Sequence, residues 1–507
     1  MVKTDNSSVN SKSTGTESIL PKVSRQGATV LVSRGALLVL GLASNILLSR
    51  TLGPSGLGAY QLGFVLVQLV TSFCILGLDK ALMRYLPLLE EKGQGGRRLL
   101  LFQGSGVVMA ISLFFVTLLL LFAPTLANSY FHAQEMQGVV RAFCIYLPFF
   151  ALARFLGGAL AAIKRVDFAS KVTNILTPAV FLVVLIAVAV TRTGVYGAIV
   201  ARSLSVILAV LALGWFLLRH VPSDRGRSRG TFQGYISLSM PLFFVGLGYL
   251  LLGQMDTIML GHFVDPKEVG IYAVAVRISA FVIVGLEILL PIVGPFWAHW
   301  AEMRDTASTS ELFGTVTKWT CYSGLLLFAL ITILRVELLR VFGKGFETGA
   351  AVVLVLSLGQ LANAVSGPTG QILSMSGRQK LEVVNTVSMV AINFLLNLFL
   401  IPRMGKMGAA IATGISIALI NAIKLLEVHV LFGLQPYTLK YLKGVTAVVA
   451  GALFSYFVRI WLFQVGFGPY WIISLAGPVF LLTAMMAFWT LGLDEDDKLA
   501  LLALRRR

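Results

Sequence analysis

Arg192-Thr193-Gly194-Val195-Tyr196-Gly197-Ala198-Ile199-Val200-Ala201-Arg202-Ser203-Leu204-Ser205 returns 211 residues later as Arg403-Met404-Gly405-Lys406-Met407-Gly408-Ala409-Ala410-Ile411-Ala412-Thr413-Gly414-Ile415-Ser416. Arg, Gly, Gly, Ala, Ala and Ser recur at the same spacing, and upstream Asn174 matches Asn385. An earlier element, Pro54-x-x-x-Gly58-x-Tyr60, comes back as Pro266-x-x-x-Gly270-x-Tyr272, one residue off that register. Both copies lie in stretches apolar enough to be membrane helices. A duplicated helical bundle related by a pseudo-symmetry axis is the plan of alternating-access transporters. The expectation is a protein that moves something rather than one that cuts or joins it.

Composition sets the solvent. Of 507 residues, 57% are apolar and 13% charged, with a mean hydropathy of +0.85. No soluble fold can hide that much apolar surface, so lipid must cover it. The formal net charge of +18 would suggest nucleic acid in a soluble protein. Here it is concentrated in loops on one side of a membrane, and no nucleic-acid partner is expected. Cys74, Cys144 and Cys321 fall in apolar segments, which indicates neither a disulfide framework nor a thiolate metal site. No cleavable signal peptide is visible at the start.

The fold class expected is all-α and polytopic. A window of about 20 residues, enough to cross the ~30 Å hydrocarbon layer, finds about fourteen spans. They divide into two pseudo-symmetric six-helix lobes, 24–218 and 232–431, followed by two further helices within 432–493. A polar segment, 1–23, reads as a disordered cytoplasmic tail, 219–231 as a basic cytoplasmic linker, and 494–507 as a charged cytoplasmic tail. With both termini cytoplasmic, roughly 25 Lys and Arg near span ends fall inside and roughly 7 outside. The runs Lys92/Arg97/Arg98, Lys164/Arg165 and Arg225/Arg227/Arg229 are read as topology determinants. Pro148, Pro178, Pro241, Pro291, Pro295 and Pro368 fall within spans, where each removes a backbone donor and can kink its helix.

Several segments resemble the multidrug/oligosaccharidyl-lipid/polysaccharide flippase superfamily, and within it the polysaccharide-transport branch of Wzx-type oligosaccharide flippases. They are Ser49-Arg50-Thr51-Leu52-Gly53-Pro54-x-x-x-Gly58-x-Tyr60, Asp256-Thr257-Ile258-Met259-Leu260-Gly261 followed by Val269-Gly270-x-Tyr272, and Gly77-Leu78-Asp79 with Arg84-Tyr85-Leu86. The resemblance implies a flippase carrying a polyprenyl-pyrophosphate-linked oligosaccharide from inner to outer leaflet for O-antigen or exopolysaccharide export. It implies a prokaryotic cytoplasmic (inner) membrane, and polysaccharide polymerases and glycosyltransferases as partners.

Charges inside spans need a reason. Arg34, Arg154, Arg202 and Arg277 all sit about seven or more residues from a span end, too deep for easy snorkelling. The first-lobe spans offer almost no acid to pair with them. Guanidinium groups lining a water-filled cavity suit a pyrophosphate, which takes planar bidentate donors. These four are the candidate substrate-binding residues, with pairing to Glu287 or to carbonyls at helix breaks as the structural alternative. Asp79, Lys80 and Arg84, at the cytoplasmic end of the second span, read as a local salt-bridge cluster at the interface, with contact to the cargo headgroup on entry as the alternative. Lys424 and Glu427 read as an i,i+3 pair on one helix.

The second lobe carries different chemistry. Asp256 lies near the outer end of span 7, Asn393 and Asn397 share one face near the outer end of span 11, and Thr413 lies at similar depth on span 12. Such oxygens suit a small hard cation such as Na+, and a lone buried carboxylate suits H+. The spacing resembles the second-lobe sodium site of the lipid II flippase branch, with Asn397 standing where that pattern has an acid. The four form the candidate ion-coupling site. Interfacial placement of Asp256 and interhelical bonding by the asparagines are the structural alternatives. No cofactor is expected, and no metal beyond sodium.

Rival readings are a drug or organic-cation antiporter, a membrane enzyme and a non-transporting scaffold. An antiporter of cations should offer acids and aromatics to its ligand, where this first lobe offers arginines. An enzyme needs paired carboxylates or metal ligands on extended loops, whereas His132, His220, His262, His299 and His429 are scattered. The protein is therefore read as no enzyme.

Overall fold

A computed structural model describes residues 13–91, 97–221, 231–303, 306–437 and 441–490. Among them the secondary structure is helical throughout, joined by short turns. Among the described residues eleven helices are long and apolar enough to cross a membrane, or twelve if the bent pair Tyr235–Leu251 and Gly253–Phe263 is one span. The first of these, Val32–Pro87, contains two of the spans read from the sequence. It is broken at Gly53, whose φ of 66° and ψ of −179° no helix contains. The expected fourteen spans are compatible with this count.

The chain forms two compact units: residues 1–52 with 63–251, and residues 53–62 with 252–507. Within each, the helices pack in the same order. In the first unit Arg97–Thr125 packs on Glu135–Ala162, which packs on Gly194–His220, which in turn packs on Thr177–Thr191. In the second, Thr306–Phe342 packs on Ala350–Ser366, then Lys406–Phe432, then Gln379–Met404. The repeat legible in the sequence is thus also a repeat of packing.

The contact boundary departs from the linear one drawn at the linker. The helix Thr231–Phe263 gives its first part to the first unit, where the Tyr235 hydroxyl donates to the Leu78 carbonyl oxygen at 2.7 Å. Residues 53–62 join the second unit for a steric reason. A Cβ at Gly58 would lie 1.6 Å from the Pro266 carbonyl oxygen, and one at Gly270 would lie 2.0 Å from that of Pro54. The repeated Pro-x-x-x-Gly elements therefore cross backbone to backbone, each glycine seated on the other copy's proline. Only a missing side chain permits that approach.

The first helix begins at Ser13, so residues 13–23 of the expected disordered tail are helical. Extending a formed span by a turn costs less than nucleating a helix, which lets a polar segment ride on an apolar one. Residues 1–12, the linker residues 222–230 with Arg225, Arg227 and Arg229, Lys92, and the tail 494–507 lie outside the described residues.

The last two helices, Tyr441–Gln464 and Pro469–Thr490, pack on each other and on Thr306–Phe342. Leu334, Leu462, Ile472 and Phe480 form the buried seam. Arg459 donates through Nη2 and Nε to the one oxygen Oε1 of the buried Glu337, at 2.8 and 3.0 Å. The carboxylate is buried and the guanidinium half-buried, and leaving that carboxylate without its partner would be costly.

Candidate functional site

The second unit brings Asp256, Asn393, Asn397 and Thr413 into one hydrogen-bonded node. Asn393 and Asn397 are four residues apart on Gln379–Met404 and so project from one face. Thr413 comes from Lys406–Phe432, the helix packed alongside. Asp256 is the hub. Its Oδ1 accepts from Asn397 Nδ2 at 2.7 Å. Its Oδ2 accepts from Thr413 Oγ1 at 2.5 Å and from the Tyr272 hydroxyl at 2.6 Å. Asn397 Nδ2 also reaches Asn393 Oδ1 at 3.0 Å, and Asn393 Nδ2 donates to Thr413 Oγ1 at 3.1 Å.

Tyr272 is the member the sequence reading missed. It is buried on Pro266–Ser279 and belongs to the repeated Gly-x-Tyr element, so its signal was present but had been read as a family mark. Asn397 is buried too, and its Oδ1 has no hydrogen-bond partner among the described residues. The node therefore sets a carboxylate beside an amide oxygen left open, an oxygen set suited to a small hard cation or to a proton.

The four arginines occupy separate places. Arg34 is exposed on the first helix, whose next residue back, Ser33, is buried and meets Asn174 Nδ2 at 3.4 Å. Arg202 is sandwiched between two phenyl faces, its guanidinium carbon 4.8 Å from the ring centres of both Phe64 and Phe181. Arg154 is exposed and lines a cavity in the first unit. Arg277, in the second unit, donates to Gln61 Oε1 at 3.1 Å. Glu287, weighed above as their acidic partner, is exposed and makes no ion pair with any of them among the described residues.

Two local pairings came out differently from their sequence reading. Lys424 and Glu427 do not bond to each other: Lys424 Nζ reaches Glu382 at 2.6 Å, and Glu427 accepts from Asn385 Nδ2 at 2.6 Å. Tight packing of Gln379–Met404 against Lys406–Phe432 puts cross-helix partners nearer than the next turn of the same helix. Asp79 and Lys80 likewise line one cavity without an ion pair among the described residues. The chain turns sharply at Leu76 and Gly77, both at positive φ, and Asp79 and Lys80 follow as consecutive residues of the helix Leu78–Glu91, whose side chains do not face each other.

Fold and site together define a multi-pass membrane protein built from two equivalent helical bundles. A family model described as "Polysaccharide biosynthesis protein" matches residues 24–294, over half the chain, and the protein belongs to that family. One relative, "Probable low-salt glycan biosynthesis flippase Agl15" of Haloferax volcanii, is 23% identical over 253 residues, 49% of this chain and 53% of its own length. The chain thus matches about half of that relative. Among solved structures, "Lipid II flippase MurJ, inward closed conformation" superposes with a TM-score of 0.69 at 13% identity, covering 91% of this chain and 97% of that one. A multidrug resistance MATE family transporter of the MOP superfamily, inward-facing, gives 0.62 at 15% identity over 78% and 94%. At such identities the structural likeness speaks for the fold.

Proposed function

We propose that this protein is a flippase carrying a polyprenyl-pyrophosphate-linked oligosaccharide from the inner to the outer leaflet of a prokaryotic cytoplasmic membrane, by alternating access of its two bundles. The observation that carries this reading is the charge inside the first unit: Arg34, Arg154 and Arg202 lie within its spans, and neither Arg34 nor Arg154 is ion-paired to a carboxylate among the described residues. Intramembrane cations of that kind favour a diphosphate cargo over an organic cation. The family and the named relative's role in glycan biosynthesis support the same cargo class. Polymerases and glycosyltransferases that make and use the lipid-linked glycan are the natural partners.

The Asp256 node supplies the drive in this reading. Binding of Na+ or H+ at Asp256, Asn393, Asn397 and Thr413, with Tyr272 holding the carboxylate, favours one of two packings of the second bundle. With Asn397 where the lipid II branch carries an acid, the node holds one negative charge rather than two, which favours the proton.

The test is transfer of a fluorescent polyprenyl-pyrophosphate oligosaccharide across liposomes holding the purified protein, with and without a Na+ or H+ gradient. Transfer should disappear in Arg34→Gln and in Arg277→Gln, and its ion dependence should vanish in Asp256→Asn. Absence of transfer together with efflux of an organic cation would overturn the flippase reading for that of a drug antiporter.

A further inference from the structure

A cavity of about 300 Å³ opens at the Leu76–Gly77 corner, wholly within the first unit. Its polar edge is Lys80, Arg154 and Asp79, and its wall is apolar, with Ile75, Leu247 and Phe243 among the lining side chains. Glycines bring these groups together. Gly77 turns at φ +73°, and a Cβ there would lie 2.5 Å from the Ser239 carbonyl oxygen, so the corner is pressed against the helix Thr231–Phe263. A Cβ at Gly246 would lie 3.3 Å from Lys80 Nζ, so the ammonium rests in the space that a bare glycine leaves. A Cβ at Gly158 would lie 2.6 Å from the Asp79 carbonyl oxygen, which seats the corner on the helix that carries Arg154.

The electrostatics of this edge are unbalanced. Two cations face one carboxylate, and neither Lys80 nor Arg154 lies within 4.0 Å of a carboxylate oxygen among the described residues. Two cations held beside an apolar wall call for an anion whose remaining body is apolar. A phosphate offers oxygens to an ammonium and a guanidinium at once, and a hydrocarbon chain satisfies the wall.

We infer that this corner cavity binds the phosphate of a membrane amphiphile, with Lys80 and Arg154 on the phosphate oxygens and the first carbons of the chain along Phe243 and Leu247. The phosphate can come from a polyprenyl diphosphate or from a resident anionic phospholipid. The inference concerns equilibrium binding and holds whether or not the protein transports a glycan.

Binding to the purified full chain of two probes, undecaprenyl diphosphate and dioleoyl phosphatidylglycerol, tests it, with melting temperature as the control for folding. Lys80→Gln and Arg154→Gln should each weaken a probe by about tenfold, the scale of one charge-assisted bond. Lys80→Arg should keep its binding, and Asp79→Asn should strengthen it by removing the opposing charge. Gly246→Val keeps both cations but displaces Lys80, and should weaken binding as Lys80→Gln does. Loss confined to undecaprenyl diphosphate assigns the cavity to a polyprenyl cargo, and loss confined to the phospholipid assigns it to a resident lipid. Unchanged affinity for both probes in Lys80→Gln, Arg154→Gln and Gly246→Val overturns the inference.

Discussion

The two copies of the repeat use one scaffold for opposite chemistry. Thr413, in the Asp256 node, stands where the first copy has Arg202. Asp256 corresponds to Ser44, Tyr272 to Tyr60, and Asn393 and Asn397 to Leu182 and Ile186. In the second copy a carboxylate gathers a hydroxyl, a phenol and an amide. In the first copy the carboxylate and both amides are gone, and the hydroxyl has become a guanidinium between two phenyl rings. Helix order and packing survive this exchange, so the backbone tolerates either polarity at the same place. What the duplication preserved is the frame; what it diversified is the polar chemistry that the frame carries.

The hardest way to break the comparison is to break the frame itself. Gly58→Leu and Gly270→Leu each drive a side chain into the facing proline carbonyl, closer than any relaxation of a few tenths of an ångström can absorb. Each should cost about 3 kcal/mol or more, the upper range for overpacking, and the two should cost the same because the crossing is reciprocal. Gly214→Ala is the control: nothing lies within 4 Å of its added methyl, and a mid-helix alanine should stabilise by up to about 1 kcal/mol. Melting temperature in detergent checks all three. A large difference between Gly58 and Gly270 would mean that the crossing is not shared equally.

The next effect separates the two centres. Asp256→Ala strips the hub from three donors and should destabilise the second unit by about 3 kcal/mol, the cost of leaving buried polar groups unpaired. Asp256→Asn keeps the shape and should cost about 1–2 kcal/mol while removing the charge. Arg202→Leu, its counterpart in the first copy, keeps the contact with Phe64 and Phe181 but loses the cation, and should cost about 1–2 kcal/mol. Thermal unfolding gives the stabilities. Liposome transfer should then divide the roles, Arg202→Leu abolishing it with and without a gradient and Asp256→Asn abolishing only the response to the gradient.

Much of this contrast was readable in the sequence because depth in a membrane can be counted. One side chain per 1.5 Å of helix placed Asp256, Asn393, Asn397 and Thr413 at one level, and the structure joins them. Rotation and partner choice cannot be counted that way. Tyr272 was hidden because a phenol on a neighbouring helix has no spacing relation to Asp256. Lys424 and Glu427 misled because i,i+3 spacing guarantees proximity only when no other helix supplies a better partner, and Glu382 and Asn385 supply one. The corner at Gly77 was hidden for another reason. Two consecutive positive-φ residues redirect Asp79 and Lys80, and only the glycine among them leaves a trace in the sequence. The reciprocal crossing of Gly58 and Gly270 was visible as a repeated motif, but its meaning is a distance between copies, which no single copy encodes.

The smallest expected effect tests whether the first copy retains any remnant of the node. Ser44 stands where the second copy has Asp256, and it is buried with its hydroxyl unpartnered among the described residues. If the node's geometry were still in use there, removing the hydroxyl would cost a hydrogen bond, about 1 kcal/mol. An unpartnered buried hydroxyl instead carries a desolvation penalty with no return, so Ser44→Ala should be neutral or stabilising by a few tenths of a kcal/mol. Melting temperature and liposome transfer should both stay at the parent values. A loss of 1 kcal/mol or more would mean that Ser44 does bond within the first bundle, and that the two copies still share a polar centre.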